Sequence, residues 1–260
     1  MDRPAEVVDY HTRLLKSPIE VEHARAYWRH VDVDACSDNS AAAFSEYWFG
    51  ARSMPRVEVL LAGFREQFDA YPPSLRVLHC WSNMDSGTRR IICHWHLQLS
   101  DQLYREFTGE YLVDRMNHGR TDVTRDLVVR WIEEIAPERW GTSTRIQFAR
   151  RLLFSATESG LLKGSRDPRQ LHIPRVTDEA LTYLMYLLRE VQIQGSLIDN
   201  PYLTSIGLTG RELERRLRAL PALLFKKQGD LLEFGWQFDG LYEWASANVL
   251  NHEQQLRGTA

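Results

Sequence analysis

Residues 142–175 read TSTRIQFARRLLFSATESGLLKGSRDPRQLHIPR, and this stretch decides how the middle of the chain is built. Its first half places apolar residues at helical spacing on one face, namely Ile146, Ala149, Leu152, Leu153 and Ala156. Thr142 or Ser143 is suited to cap the start of such a helix, and Gly160 is suited to end it. The pattern therefore predicts one amphipathic helix over residues 142–159.

The second half of the stretch predicts a β-hairpin. Short apolar runs at 161–162 and 171–173 read as strands, and KGSRDPRQ between them reads as a polar, basic connection. Together with a predicted helix before residue 142, the order is helix, turn, helix and hairpin. In a winged helix of this order, the second helix enters the DNA major groove and the hairpin meets the backbone.

The charge of the chain is concentrated in the same region. The 260 residues carry a net charge of −3, but residues 119–175 contain 11 Lys and Arg against 7 Asp and Glu. The preceding 118 residues contain 13 against 17, and the following 85 contain 8 against 11. A basic segment between two acidic flanks favours a local nucleic-acid contact rather than a generally basic protein.

The first 118 residues predict helices. Apolar residues recur at helical steps over 55–71, and residues 89–116 read as two helices separated near Ser100 and Asp101. NHGRT, at 117–121, reads as a boundary, after which Thr121 or Asp122 is suited to cap a helix that continues through Ile135 with Val123 on its apolar stripe.

The same order of elements is predicted again after residue 176. It comprises a helix over 178–191, a shorter piece over 196–208 broken at Pro201, a helix capped at Thr209, a hairpin over 222–238 that turns at Gln228-Gly229-Asp230, and a last helix from Leu241. We therefore predict a mainly α protein, with a helical N-terminal domain (1–118), two winged-helix-like units (119–175 and 176–250) and a polar tail (251–260).

Several classes of protein do not fit the sequence. It contains no Gly-rich phosphate loop, no H-E-x-x-H and no G-x-S-x-G, so we expect no enzyme activity and no cofactor. Three cysteines argue against a disulfide framework, and no apolar run is long enough for a membrane span or a signal core, so we expect a cytoplasmic protein. His79, Cys80, Cys93, His94 and His96 match no zinc-finger spacing, and we expect them to pack rather than to bind metal.

Four segments together resemble a known family: WGTSTRIQFARRLLFSATESGLL (140–162), ALTYLMYLLRE (180–190), NPYLTSIGLTGRELERRL (200–217) and GDLLEFGW (229–236). They are similar to the BrxA family of bacteriophage-exclusion (BREX) defence systems, over roughly residues 120–245. The resemblance implies a small non-enzymatic protein with winged-helix units that binds double-stranded DNA and works beside other phage-defence proteins.

The predicted DNA-binding residues lie on the exposed helix face and on both hairpins: Thr144, Arg145, Gln147, Arg150, Arg151, Lys163, Arg166, Arg169, Lys226 and Lys227. Each basic side chain has an alternative as solvated surface or as an intramolecular ion pair, and Arg145 is equally placed to pair with Glu133 or Glu134. In the second unit, Glu212 with Arg216 and Glu214 with Arg218 are predicted pairs. We expect largely sequence-independent binding of duplex DNA. A protein–protein adaptor and an RNA-binding factor remain the alternatives.

Overall fold

A computed structural model of the protein describes residues 3–33, 39–229 and 231–250. It is mainly helical with two small antiparallel sheets, which confirms the predicted class. The predicted polar tail (251–260) and Cys36 lie outside the described residues. Within those ranges, none of the helices has both the length and the apolar character needed to cross a bilayer.

The N-terminal half is helical, as predicted. Its α-helices within the described residues are α1 (Arg13–Lys16), α2 (Val21–His30), α3 (Ser40–Ser45), α4 (Met54–Phe64), α5 (Pro72–Cys80), α6 (Ser86–Ser100), α7 (Gln102–Glu106) and α8 (Leu112–Asn117). Two π-helical segments, Arg65–Asp69 and Phe107–Tyr111, continue α4 and α7. The predicted break after Ser100 is confirmed, because the Asp101 side chain accepts a hydrogen bond from the Tyr104 N–H and caps α7.

The middle of the chain forms β1 (Asp122–Val123), α9 (Arg125–Ile135), α10 (Thr142–Glu158), β2 (Leu162–Lys163) and β3 (Arg169–Leu171). Strand β3 lies in the centre of a three-stranded antiparallel sheet of order β1–β3–β2. Val123 pairs with Arg169, and Lys163 pairs with Gln170. The sheet thus joins the chain before α9 to the hairpin after α10.

Three details of this region differ from the prediction. The start of α9 at Thr121 or Asp122 is wrong, because the buried Val123 pairs in β1 and Thr124 caps the helix by accepting from the Leu127 N–H. The cap of α10 is Gly141, which leaves Thr142 and Ser143 inside the first turn. The strands of the hairpin lie at Leu162–Lys163 and Arg169–Leu171, rather than at 161–162 and 171–173.

The C-terminal part contains α11 (Asp178–Glu190), α12 (Pro201–Thr204), α13 (Gly210–Ala219), β4 (Leu223–Gln228), β5 (Leu231–Trp236) and α14 (Leu241–Ala245), followed by a π-helical segment, Ser246–Leu250. The predicted hairpin is confirmed, although Asp230 of its turn lies outside the described residues. The predicted break of a helix at Pro201 is wrong, since Pro201 begins α12 and the Asn200 side chain caps it.

The buried apolar residues form one continuous cluster that includes side chains from all three predicted units. Helix α6 lies inside this cluster, and Trp95 on it is fully buried and donates its indole N–H to the Tyr202 carbonyl. The domain boundaries near residues 118 and 175 stay predictions. The three units that they separate share one hydrophobic core.

Two fully buried histidines of α6, His94 and His96, join distant parts of the chain. Both ring nitrogens of each lie 2.8–3.0 Å from a polar partner: Tyr104 and Ser205 for His94, and Gln67 and Tyr183 for His96. Burial lowers the pKa of His94 to about 3 and the pKa of His96 to about 4. Both rings are therefore neutral near pH 7.

Candidate nucleic-acid interface

Helix α10 has one buried and one exposed face, as its sequence predicts. The side chains packed into the core are Phe148, Ala149, Leu152, Leu153 and Ala156, while Ile146 is half-buried. The opposite face, which we call the outer face of α10, exposes Gln147, Arg150 and Arg151, and Thr144 is half-buried beside its first turn. The helical period thus separates an apolar buried face from a cationic outer face.

Hydrogen bonds also fix the buried face of α10 to the N-terminal half of the chain. The Ile19 backbone N–H donates to the Ser155 hydroxyl at 3.2 Å, and the Tyr104 hydroxyl lies 2.7 Å from the Ser159 hydroxyl. Gly160 ends the helix at a φ of +83°, which confirms its predicted role, because a left-handed residue after the last turn favours glycine. The outer face is therefore presented by a helix that is fixed at several points.

Arg150 and Arg151 carry uncompensated charge. Both side chains are exposed and make no ion pair with any described residue. A guanidinium stays protonated at all physiological pH values and offers several N–H donors to phosphate or base edges. These two residues give the outer face a positive charge that no residue of the described ranges neutralises.

Arg145 is held differently. Its guanidinium forms an ion pair with Glu133 of α9 at 2.6 Å, and its side chain is 13% exposed. Of the two predicted partners of Arg145, Glu133 and Glu134, the structure therefore contains the pair with Glu133. In this structure Arg145 connects α9 to α10 rather than facing solvent.

The connection between β2 and β3 exposes two further cations. We call residues 162–171 the first hairpin. Lys163 and Arg166 are exposed on it and have no ion pair with a described residue. The Asp167 carboxylate accepts a hydrogen bond from the Arg125 N–H at 2.8 Å, so the tip of the first hairpin is attached to the start of α9.

Arg169 does not lie at the hairpin tip, because β3 begins two residues earlier than predicted. Its guanidinium donates to the Leu153 carbonyl and to the Thr157 hydroxyl, both at 2.8 Å, and its side chain is 15% exposed. Burial lowers the pKa of Arg169 from its usual value, and the nearby Asp167 opposes that shift. Arg169 therefore attaches β3 to the C-terminal half of α10.

We predict that Arg169→Ala lowers the free energy of unfolding by about 2 kcal/mol, since two hydrogen bonds from a charged donor are lost in a largely buried place. Urea denaturation measures this difference. The control is Arg166→Ala on the same hairpin, which we expect to change stability by less than about 0.5 kcal/mol because its side chain is exposed. Equal stabilities of the two variants would contradict the structural role of Arg169.

The second hairpin, β4–β5, carries the remaining predicted site residues. Lys226 lies 3.6 Å from Glu233 on the neighbouring strand, and Lys227 lies 2.8 Å from Glu214 of α13. Each lysine is thus next to a carboxylate. The structure places them in a separate sheet from the first hairpin.

Three of the four arginines of α13 are paired, while Arg211 is exposed and makes no ion pair with a described residue. The predicted pair of Glu214 with Arg218 is confirmed at 3.2 Å. The predicted pair of Glu212 with Arg216 is wrong, because Arg216 instead reaches Asp178 at the start of α11 at 2.7 Å. Glu212 pairs with Arg215. Compared with the outer face of α10, α13 therefore has most of its cations close to its own or neighbouring carboxylates.

Phe154 is an interface candidate that was not among the predicted site residues. This phenylalanine belongs to the outer face of α10 and is 39% exposed. At 100° per residue, position 154 falls on the same stripe as positions 147, 150 and 151, so the helical period alone would have placed it there. Phe154 was assigned to neither the apolar nor the polar face in the sequence-based prediction.

The buried histidines and cysteine of α6 do not form a metal site. The described residues contain no group of three or more His, Cys, Asp or Glu side chains arranged to hold a metal ion. Cys93 is buried, and burial raises the pKa of its thiol well above the usual range. His94 and His96 use their ring nitrogens for hydrogen bonds within the core.

Comparisons with known proteins describe the fold only. No protein-family model matches the chain, and no curated protein is similar to it in sequence. A crystal structure of an uncharacterized protein from Magnetospirillum magneticum is similar, with a TM-score of 0.55 and 14% identity, over 70% of this chain and 97% of that one. At this identity the chain shares with that protein an overall arrangement of its elements.

Proposed function

We propose that the chain binds double-stranded DNA through the outer face of α10 and the first hairpin. The observation that carries the proposal is the set of four exposed cations, Arg150, Arg151, Lys163 and Arg166, without an ion pair among the described residues. Charges left free in this way are available to replace the counterions of a phosphate backbone. Most exposed cations of the second unit, by contrast, lie next to carboxylates, and Arg211 is the exception on α13.

The order of elements supports this proposal. Strand, helix, helix and hairpin, with β3 between β1 and β2, is the arrangement expected of a winged helix. An α-helix with its side chains is about 10–12 Å wide, which suits a major groove about 12 Å wide. In this mode α10 enters the groove while Lys163 and Arg166 meet the sugar-phosphate backbone.

We further propose that most of the contacts are made with phosphates, so that sequence preference is weak. The outer face of α10 offers few long donors besides Gln147, Arg150 and Arg151. A role as an accessory of a phage-defence complex, beside other proteins of that system, rests on the resemblance to the BrxA family. No catalytic role, cofactor or metal belongs to the proposal.

A gel-shift experiment with four probes of matched length and sequence tests the proposal: duplex DNA, duplex RNA, single-stranded DNA and single-stranded RNA. We expect the duplex DNA to be shifted most strongly. A preference for either RNA probe would assign the protein to RNA binding, and failure to shift any probe would favour the adaptor.

One observation favours protein binding as a second candidate function. The second hairpin exposes Leu224, Leu231 and Leu232, at 53%, 77% and 40%. Several exposed leucines on one small sheet are typical of surfaces that contact another protein. This role is compatible with DNA binding, because it uses a different sheet from the first hairpin.

The salt dependence of binding gives a further prediction. Four phosphate contacts from Arg150, Arg151, Lys163 and Arg166 should give a log–log slope of affinity against salt of about −3.6. Replacing Lys163 and Arg166 with alanine should weaken binding to unrelated duplexes alike and reduce the slope by about two units. Fluorescence anisotropy over a salt series measures both quantities. A slope near zero for the unmodified protein would rule out this mode of binding.

A further inference from the structure

Phe154 is an exposed aromatic residue on a face that is otherwise polar. It lies four residues after Arg150 and three after Arg151, one helical turn further along the outer face of α10. With 39% of its surface accessible, it keeps apolar area in water that a core phenylalanine would bury. The neighbouring Phe148 on the buried face of the helix has no accessible surface.

The position of Phe154 along the helix matches the spacing of stacked bases. From Gln147 to Phe154 the helix rises about 10.5 Å at about 1.5 Å per residue. That rise corresponds to about three base-pair steps of about 3.4 Å. A helix lying in a major groove with its arginines on the phosphates would therefore still bring Phe154 to the edge of a base pair.

The charges around Phe154 favour a base edge over a phosphate as its partner. Arg150 and Arg151, on the preceding turn, are the groups that attract the DNA. Glu158 follows one turn later on the same face and is half-buried, and its carboxylate disfavours a phosphate at that end of the helix. An apolar ring between these charges suits the floor of the groove, whose apolar group is the thymine C5-methyl.

We propose that Phe154 packs against thymine methyl groups in the major groove and so gives the protein a moderate preference for duplexes that present thymine there. The inference rests on the proposed binding of duplex DNA and refines it. It adds an apolar contact to an interface otherwise made with phosphates.

The test compares two duplexes of identical sequence, one with thymine and one with deoxyuridine in its place. Deoxyuridine removes only the methyl group and leaves the base pairing and the phosphates unchanged. We expect the unmodified protein to bind the thymine duplex about four-fold more tightly, the value of one buried methyl-sized group. We expect Phe154→Ala to bind both duplexes with equal affinity.

Two further variants make the comparison specific. Phe154→Leu keeps an apolar side chain and should retain most of the preference. Tyr242→Ala removes another exposed aromatic ring, 41% accessible on α14, and should leave the preference unchanged. Because Phe154 and Tyr242 are only 39% and 41% accessible, each alanine variant loses some packing, and binding is compared at a temperature at which all three variants are folded.

The outcomes separate this inference from the proposed function. Binding of both duplexes with equal affinity by the unmodified protein would overturn the role of Phe154 and leave DNA binding intact. A preference that persists in Phe154→Ala would also overturn it, since the methyl groups would then act through another residue or through the shape of the duplex. Binding of neither duplex would refute the proposed function itself.

Discussion

Replacing Arg150 and Arg151 together with alanine is expected to lower the affinity for duplex DNA about 100-fold. Each side chain is free to make a charge-assisted hydrogen bond to phosphate, and two such bonds at about 1.5 kcal/mol each correspond to about that factor. Both residues are exposed and lack an ion pair among the described residues, so the fold should be unaffected. Fluorescence anisotropy at a fixed salt concentration measures the loss.

The matched control is the replacement of Arg211 and Arg215 on α13 with alanine. This variant loses the same formal charge from another exposed helix, where Arg215 already pairs with Glu212. Charges beyond about 8–10 Å are largely screened at physiological salt, so we expect an affinity change of less than about two-fold. If both double variants weaken binding equally, net charge and not the outer face of α10 determines the affinity.

Lowering the pH from 7.5 to 5.0 is expected to reduce the free energy of unfolding by about 2–3 kcal/mol. His94 and His96 stay neutral in the folded protein because burial lowers their pKa values to about 3 and about 4. In the unfolded chain both have pKa values near 6.5 and take up protons. The stabilisation is therefore complete above about pH 6.5 and is lost as the pH falls toward the folded-state values, at about 1.4 kcal/mol per pH unit for each histidine.

Asp101 acts in the opposite direction. Burial raises the pKa of its carboxyl, against the effects of His11 and Arg105. The folded protein therefore binds this proton before the unfolded chain does, and stability rises as Asp101 is protonated. One carboxyl offsets part of the loss that two histidines cause, so the net effect remains destabilising.

Urea denaturation at a series of pH values checks the assignment. The unmodified protein should lose stability below pH 6.5. The slope of its free energy of unfolding against pH should be smaller in His96→Gln, by the equivalent of about one proton. His118→Gln is the control for replacing a histidine outside the core, because that side chain is exposed in the folded protein. An unchanged slope in His96→Gln would exclude this histidine as a source of the acid sensitivity.

The sequence predicted the helices well because their signals are local. The apolar residues of α10, the cap at Asp101 and the glycine at 160 each act within one or two turns of the chain. The pair of Glu214 with Arg218 is equally local, since residues four apart on a helix are neighbours. Such features follow from the helical period alone.

The sequence did not predict features that depend on distant pairing. Strand β1 has two residues and exists because Val123 pairs with Arg169, 46 positions away. The attachment of Arg169 to α10 follows from that register, and a short basic hairpin gives no sign of it. The partners of His94 and His96 also come from remote segments, so the sequence indicated packing but not the hydrogen bonds.

The hydrogen bonds on the buried face of α10 make residues 119–175 dependent on the rest of the chain. Ser155 and Ser159 meet groups from the first 118 residues, at the Ile19 backbone and the Tyr104 side chain. Grafting residues 119–175 onto another scaffold would leave both hydroxyls without these partners. The orientation of the proposed DNA-binding helix therefore depends on the N-terminal half of the chain. Transferring the charges of α10 alone would not transfer that orientation.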